Sequence, residues 1–235
     1  MAKQEQDKAA CEIARALVRR SRSATLASAL TGRRQGWPYA SLVTVACATD
    51  ASPILLLSTL ADHTSNLAED ARASLLFEEA AGLPNPQTGP RVTVTGRLTP
   101  TTGQDDAQRF LARHPGAEQY AGFADFSFYR MQVERAHYVG GFASATWFGA
   151  KKFLYEAKAS QAVAKAERLL SERLNREYGE TLLRQAGKRW RICGIDPEGL
   201  DLISTKGFRR IEFARPVRTG RGVRSEIEKM IKNIG

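Results

Sequence analysis

The sequence predicts an antiparallel β-barrel with short helices over residues 1–150, followed by a small basic α+β domain over residues 151–235. In the first part, about six strand-like segments occur at hairpin spacing, with only a few short helical segments between them. Strand-helix-strand repetition does not occur, which disfavours a parallel sheet, and closure into a barrel removes exposed strand edges. The two parts differ in net charge. Residues 1–150 contain 15 Lys+Arg and 14 Asp+Glu, whereas residues 151–235 contain 20 Lys+Arg and 11 Asp+Glu.

The elements of the first part follow from local patterns. Apolar residues at helical spacing predict a helix over residues 8–20. Apolar and β-branched runs predict strands at residues 24–28, 41–49, 54–58, 72–79, 91–99 and 126–148. The short turn between the second and third strands predicts a hairpin, and Gly140–Gly141 predict a bulge or bend within the last strand. Short helices are expected after Asn66 and over residues 103–115.

The strand at residues 91–99 shows the clearest alternation. Val92, Val94 and Leu98 face one side, and polar residues separate them. This pattern predicts an antiparallel strand with one buried face. In the second part, the same reasoning predicts a helix at 158–178, three short strands within 188–213, and a closing helix at 222–234.

The composition disfavours several classes of protein. No apolar run approaches the roughly 20 residues that a membrane-spanning helix needs. Residues 1–20 mix charges with helix formers and lack the apolar core of a signal peptide. Cys11, Cys47 and Cys193 are odd in number and far apart, which disfavours a disulfide framework and a zinc site. We therefore expect a cytoplasmic protein with no metal site.

A cluster of small polar residues follows the strand at 54–58. Its hydrogen-bonding members are Ser58, Thr59, His63, Thr64, Ser65 and Asn66. The first N–H groups of a helix have no partner within it and, together with the helix dipole, favour an anion. One interpretation is therefore a phosphate site. The other is an ordinary helix start, in which Thr64, Ser65 or Asn66 caps the helix itself.

Three further residues have two interpretations each. Arg91, at the start of its strand, can bind a phosphate or point into solvent. Ser41 can lie beside a planar ligand, but the preceding Gly36-Trp37-Pro38 is also an ordinary turn. Trp147 can cover a ring system or pack in a core or an interface. No Ser-His-Asp set, phosphate-binding glycine loop or H-E-x-x-H motif is found, so no catalytic residue is predicted.

Four segments occur in an order that is typical of one family: PYASLVTVA at 38–46, ILLLSTLADHTSNLAEDARASLLF at 54–77, RVTVTGRL at 91–98 and HYVGGFASATWF at 137–148. Over residues 12–150 the chain resembles the pyridoxamine-5'-phosphate-oxidase-like FMN-binding split-barrel family. The closest resemblance is to the branch related to the haem-utilisation (HugZ-like) proteins. Residues 151–235 resemble the small C-terminal domain of uncharacterised function that is often fused to this barrel.

The resemblance implies an all-β split barrel of the FMN-binding type that forms a homodimer, with flavin sites at the subunit interface. The implied cofactor-binding residues are Ser41, Ser58, His63, Thr64, Ser65, Asn66, Arg91 and Trp147. The polar cluster would hold the flavin phosphate at the start of the helix, with Arg91 adding positive charge. Ser41 would lie beside the isoalloxazine, and Trp147 would approach from the other subunit.

Two segments depart from the family pattern. The branch usually has His-Thr-Arg-Asn where this chain has His63-Thr64-Ser65-Asn66, so a charge-assisted phosphate contact is lost. The C-terminal domain usually carries His-Met-Asn-x-Asp-His where residues 173–178 read Arg-Leu-Asn-Arg-Glu-Tyr. Any metal or haem role of that motif is therefore not carried over.

These residues lead to three hypotheses. The first is an FMN-binding flavoprotein, an oxidoreductase with an unknown small-molecule substrate. The second is a haem-binding or haem-degrading protein on the same barrel, whose iron would need an axial ligand from His63, His114 or His137. Of these, His137 is expected to be a hydrogen-bonded strand residue. The third is a non-catalytic dimeric module whose basic half contacts nucleic acid or an acidic protein, although a solvated surface is the simpler interpretation of that charge.

Overall fold

The computed structural model describes residues 2–141, 144–178, 190–205 and 207–232. The chain divides into two compact units, the first comprising Met1–Cys47 and Ala51–Leu154, the second Ala48–Asp50 and Tyr155–Gly235. Each unit contains its own cluster of buried apolar residues. Within the described residues, no helix is both long enough and apolar enough to cross a membrane.

The first unit consists mainly of β-strands. They are β1 (Ser23–Ala29), β2 (Pro38–Thr44), β3 (Ala46–Cys47), β4 (Pro53–Ser58), β5 (Arg72–Glu78), β6 (Arg91–Pro100), β7 (Phe126–Val139) and β8 (Ala145–Gly149). The helices are α1 (Ala2–Arg20), α2 (Asp62–Glu69), α3 (Gln104–Arg113) and α4 (Ala150–Phe153). The mixture of many strands and a few short helices agrees with the sequence pattern.

The strands form one antiparallel sheet in the order β2-β1-β5-β6-β7-β4-β3, and β8 also pairs with β7. One edge of β7 pairs with β6 along residues 129–139. The other edge is divided, because residues 126–130 pair with β4 and residues 135–139 pair with β8. The sheet therefore splits along β7 into two branches. This curled half-barrel confirms the predicted split-barrel fold class.

Strand alternation gives the sheet an inner and an outer face. In β6, Val92, Val94 and Leu98 are buried in the core, and Thr93 and Thr95 lie on the opposite side. The alternation predicted for this strand is therefore confirmed. We call the face that carries Val92 the inner face and the opposite face the outer face. Apolar residues of α1 pack into the same core as the inner face.

The predicted strand at residues 41–49 is wrong in one respect, because the chain changes pairing partner at Val45. Residues before it pair with β1 as β2, and Ala46–Cys47 pair with β4 as β3. The backbone N–H of Val45 donates to Arg22 O at 2.9 Å, and His114 Nε2 donates to Val45 O at 2.9 Å. These two bonds replace strand pairing, so the expected hairpin is reduced to β3 and β4.

The segment at 126–148 forms two strands rather than one strand with a bulge. Gly141 has φ of +126°, in the region that favours glycine, and Gly140 N donates to Ser144 O at 2.8 Å. β8 then returns antiparallel along β7, which places Trp147 opposite His137. Residues 142–143, within the predicted strand, lie outside the described residues.

The second unit is an α+β module, as predicted. It contains α5 (Ala157–Tyr178), β9 (Arg191–Asp196), β10 (Gly199–Ser204), β11 (Gly207–Glu212) and α6 (Gly220–Lys232). The strands form an antiparallel sheet in the order β11-β10-β9. Residues 188–189 of the first predicted strand and 233–234 of the closing helix lie outside the described residues.

Side chains of α5 cover the free edge of β9. Asn175 Oδ1 accepts the N–H of Ile192 at 2.8 Å, and its Nδ2 donates to Ile192 O at 3.1 Å. Glu167 Oε1 accepts the N–H of Ile195 at 2.8 Å. Helix side chains thus take the place of a neighbouring strand and protect an edge that would otherwise pair with other chains.

Candidate functional site

Helix α2 begins earlier than expected and has no side-chain cap. The chain leaves β4 at Ser58, and the helix starts at Asp62 rather than near Leu67. Ala61 is the N-cap residue, and its side chain cannot accept a hydrogen bond from the first turn. Residues 64–66 lie inside the helix, so the interpretation in which they cap it is wrong. The start of α2 keeps its tendency to attract anions, which the carboxylate of Asp62 partly offsets.

Ser41 and His63, two of the predicted cofactor residues, lie together on the inner face. Ser41 Oγ lies 3.1 Å from His63 Nδ1. Ser41 is paired with the fully buried Leu26, which places its side chain on the inner side of β2. Burial lowers the pKa of His63, and the nearby Asp62 opposes this shift. The neutral imidazole is therefore favoured, and it can share a hydrogen bond with the Ser41 hydroxyl.

The remaining helix residues of the polar cluster have different surroundings. Asn66 is buried, and its Nδ2 donates to Ser28 Oγ at 3.1 Å. Ser65, where the family usually has Arg, is exposed. Thr64 is only 5% exposed, and its Oγ1 has no hydrogen-bond partner among the described residues. A buried hydroxyl without a partner is unfavourable by about 1–3 kcal/mol, so Thr64 Oγ1 has unused hydrogen-bonding capacity at the start of α2.

Ser58 organises the loop between β4 and α2. Its Oγ donates to Asp125 Oδ2 at 2.7 Å and accepts the backbone N–H of Leu60 at 3.1 Å. The backbone N–H of Thr59 donates to Asp125 O at 2.7 Å. Because these contacts already use the Ser58 hydroxyl, its observed role is to fix the loop that leads into α2.

Arg91 lies on the outer face, away from the polar cluster. Its Nη1 donates to Gln87 O at 3.1 Å and to Gly89 O at 3.2 Å, two carbonyls of the preceding loop. Ser41 lies on the opposite face of the same sheet. The structure therefore does not bring Arg91 and Ser41 together within one chain.

Trp147 also lies on the outer face, against two residues of β7. Its ring stacks on His137 with a centroid distance of 4.5 Å and an interplanar angle of 14°. Arg135 Cζ lies 4.7 Å from the centroid of the same indole. Among the described residues, neither ring nitrogen of His137 has a hydrogen-bond partner. The imidazole is thus oriented by stacking, and its nitrogens are available to a ligand.

Directly paired positions define a row across the outer face. We call this set the outer row: Leu42, Thr25, Leu76, Thr93, His137 and Trp147. Leu42 is 80% exposed, Trp147 49% and Leu76 37%. Exposed apolar side chains on one face of a sheet make that face a candidate surface for a ligand or another chain. Thr25 and Thr93 place small side chains between the apolar ones.

His137 is one of the three candidate axial ligands in the sequence but is not among the eight predicted cofactor-binding residues. The expected hydrogen-bonded strand residue is instead a half-buried imidazole stacked on an indole. The signal was Gly140–Gly141: if these glycines had been taken as a hairpin turn, His137 and Trp147 would have been paired directly. The described residues contain no group of three or more His, Cys, Asp or Glu side chains arranged to hold a metal ion.

The divided strand β7, the curled antiparallel sheet and the helix after β4 define this molecule as a split-barrel protein. The model of the CREG β-barrel family matches residues 4–155. The chain belongs to this family, whose split barrel is related to the pyridoxamine-phosphate-oxidase-like and haem-utilisation proteins.

Two relatives have names that refer to haem. The noncanonical chloroplastic heme oxygenase HOZ of Arabidopsis thaliana is 33% identical over 159 residues, covering 65% of this chain and 48% of HOZ. The chain therefore matches about half the length of this relative. A heme-binding protein of Mycobacterium smegmatis is 25% identical, with a TM-score of 0.57. The match covers 95% of this chain and 96% of that protein.

A third relative covers both units of the chain. A protein of unknown function from Agrobacterium tumefaciens is 27% identical, with a TM-score of 0.77 and 94% of each chain covered. The arrangement of a split barrel followed by a small α+β module therefore occurs in another solved structure.

Proposed function

We propose that this chain is a haem-binding protein that acts as a homodimer, with haem bound at the outer row. The observation that carries the proposal is the half-buried His137, whose nitrogens have no partner among the described residues and which lies in one row with Leu42, Leu76 and Trp147. The named activities of HOZ and of the mycobacterial protein support the same ligand.

The outer row suits a large, flat and largely apolar ligand. A porphyrin needs apolar surface for its ring, a nitrogen ligand for its iron and cations for its propionates. Leu42, Leu76 and Trp147 supply the surface, His137 supplies the imidazole, and Arg135 adds a cation. The residues present therefore fit haem, which when bound would supply redox chemistry at its iron.

The other two histidines are less suitable as axial ligands. His114 is buried and uses Nε2 to hold Val45 O. Burial lowers the pKa of His114 to about 4, with its hydrogen bond to Val45 opposing the shift. His63 uses Nδ1 in its contact with Ser41 on the inner face. His137 is the remaining candidate.

A second copy of the chain is the proposed cover of the outer row. Exposure of large apolar side chains to water is unfavourable, and packing two copies face to face would bury them and stabilise a dimer. A homodimer would also bring outer-face residues of one chain toward a ligand held by the other. The separation of Arg91 and Trp147 from Ser41 within one chain is consistent with such a shared site.

Haemin titration of two matched variants tests this proposal. His137→Asn removes the free imidazole on the outer face, and His63→Asn makes the same chemical change on the inner face. We expect His137→Asn to weaken haemin binding by at least about tenfold and to change the Soret band. His63→Asn should leave both close to those of the original chain. Loss of binding in His63→Asn alone would move the site to the inner face and contradict the proposal.

FMN binding for an oxidoreductase reaction is the second candidate function, and one observation favours it. Thr64 Oγ1 is buried without a partner in the first turn of a helix that has no side-chain cap. A flavin phosphate would satisfy that hydroxyl and the first N–H groups of α2 together. The Ser41 hydroxyl and the neutral His63 imidazole would then lie beside the cofactor.

Thr64→Val separates these alternatives. The substitution replaces an unsatisfied hydroxyl by a methyl group, so the chain without ligand should become more stable by about 1 kcal/mol in urea denaturation. If Thr64 contacts the phosphate, FMN affinity should fall about tenfold or more, since hydrogen bonds to charged groups contribute most. Unchanged FMN affinity in this variant would show that the flavin phosphate does not bind at the start of α2.

A further inference from the structure

The second unit carries a concentration of arginines between β11 and the first turns of α6. Residues 207–225 contain six arginines and one acidic residue, Glu212. Arg210 is buried in an ion pair, and Arg224 pairs with Glu228 and Glu177. The other four are exposed, and we call them the arginine strip: Arg209, Arg215, Arg218 and Arg221.

Hydrogen bonds and buried side chains fix the backbone between β11 and α6, which carries most of the arginine strip. Phe213 is buried and its N–H donates to Glu198 O at 2.9 Å, and Val217 is buried and its N–H donates to Pro197 O at 2.7 Å. Thr219 Oγ1 accepts the N–H of Gly222 at 3.1 Å and caps the start of α6. The exposed arginines therefore project from a fixed surface, which reduces the ordering cost of binding a partner.

Few acidic side chains neutralise the strip. Arg218 pairs with Glu156, and both side chains are largely exposed. Among the described residues, Arg209, Arg215 and Arg221 have no acidic partner. Helix α5 of the same unit is different, because its exposed arginines are matched by acids one turn away, as in Arg168–Glu172 and Arg173–Glu177. The strip is thus a local excess of positive charge rather than the ordinary surface of this unit.

We propose that the arginine strip binds the phosphate backbone of double-helical nucleic acid without reading its sequence. Guanidinium groups bind phosphates through two parallel hydrogen bonds, and a regular duplex presents phosphates in fixed rows. Single-stranded nucleic acid is usually held by exposed aromatic residues on which bases stack. Phe213 is buried and Phe208 is half-buried, so the strip offers no exposed aromatic ring. The net charge of +10 assists the approach of a polyanion.

The test is fluorescence anisotropy of the full chain with a labelled DNA duplex over a range of salt concentrations. Each phosphate contact contributes about −0.9 to the slope of log K against log salt, so the strip predicts a slope between about −3 and −4. Replacing Arg215, Arg218 and Arg221 by Ala should bring the slope close to zero, a change in magnitude of about 3, and should abolish binding at physiological salt. The same three positions replaced by Lys should keep the slope.

A control with the same charge loss elsewhere is available on α5. Arg168, Arg173 and Arg176 are also exposed, and replacing all three by Ala should leave the slope unchanged. An equal loss of binding in this control would show that net charge alone is responsible and would overturn the proposal. Equal affinity for polyglutamate, with the same dependence on the strip, would assign the surface to an acidic protein instead. Unchanged far-UV circular dichroism confirms that each variant is folded, and this test does not depend on the proposed haem site.

Discussion

Replacing Arg210 by Met is expected to lower the free energy of unfolding by about 3–5 kcal/mol, because it removes a buried guanidinium that pairs with two buried carboxylates. Arg210 Nη1 lies 2.7 Å from Asp196 Oδ2 and 3.1 Å from Asp201 Oδ1, and its Nη2 lies 3.0 Å from Asp196 Oδ1. The side chains of Arg210 and Asp196 are each 2% exposed, and that of Asp201 is 6% exposed.

Arg210 stays charged despite its burial. Burial alone would lower the pKa of Arg210, but Asp196 and Asp201 outweigh this effect and raise the pKa above its ordinary value. The three side chains lie across neighbouring strands β9, β10 and β11, so the triad joins the whole sheet of the second unit. Loss of the guanidinium removes three charge-assisted contacts from the two buried carboxylates, and a buried charge that loses such contacts destabilises the folded unit.

Urea denaturation followed by circular dichroism measures this effect. Arg209→Met is the matched control, since Arg209 is the preceding residue on the same strand and is exposed. The control should change the free energy of unfolding by less than about 0.5 kcal/mol, as is usual for surface positions. Equal changes in the two variants would show that the triad does not hold the second unit together.

Leu42→Glu is expected to convert the proposed homodimer into monomers. Leu42 is 80% exposed and lies in the outer row on edge strand β2, so the substitution should not disturb the fold of a single chain. In a dimer formed through the outer row, the new carboxylate would be buried without a partner, which is unfavourable by several kcal/mol. Sedimentation velocity measures the change in mass, and haemin titration should show weaker binding by the same variant.

Leu60→Glu is the matched control for this experiment. Leu60 is 86% exposed but lies in the loop between β4 and α2, away from the outer row. This variant should remain dimeric and should bind haemin as the original chain does. A Leu42→Glu variant that stays dimeric, or a monomer that binds haemin with unchanged affinity, would contradict a shared site on the outer face.

Much of the fold could be predicted because one-sided burial leaves a direct pattern in the sequence. The alternation of Val92, Val94 and Leu98 is produced by a strand with one face in the core, and β6 has that arrangement. The order of the four family segments predicted the split barrel itself. These features depend on local periodicity and on segment order, both of which the sequence contains.

The remaining features depend on contacts between distant residues. The change of strand partner at Val45 is fixed by Arg22 and His114, which are remote in the sequence. The start of α2 at Asp62 was missed because Ala61 gives no capping signal. The stacking of His137 on Trp147 depends on chain reversal at Gly140–Gly141, and glycine pairs occur in bulges and turns alike.

Haemin titration of the unmodified chain, compared directly with FMN titration, tests the central claim most directly. We predict a saturable Soret band on addition of haemin that is lost in His137→Asn, and weaker or no binding of FMN. A chain that retains flavin bands through purification, binds FMN stoichiometrically and gives no saturable Soret band would contradict haem binding at the outer row.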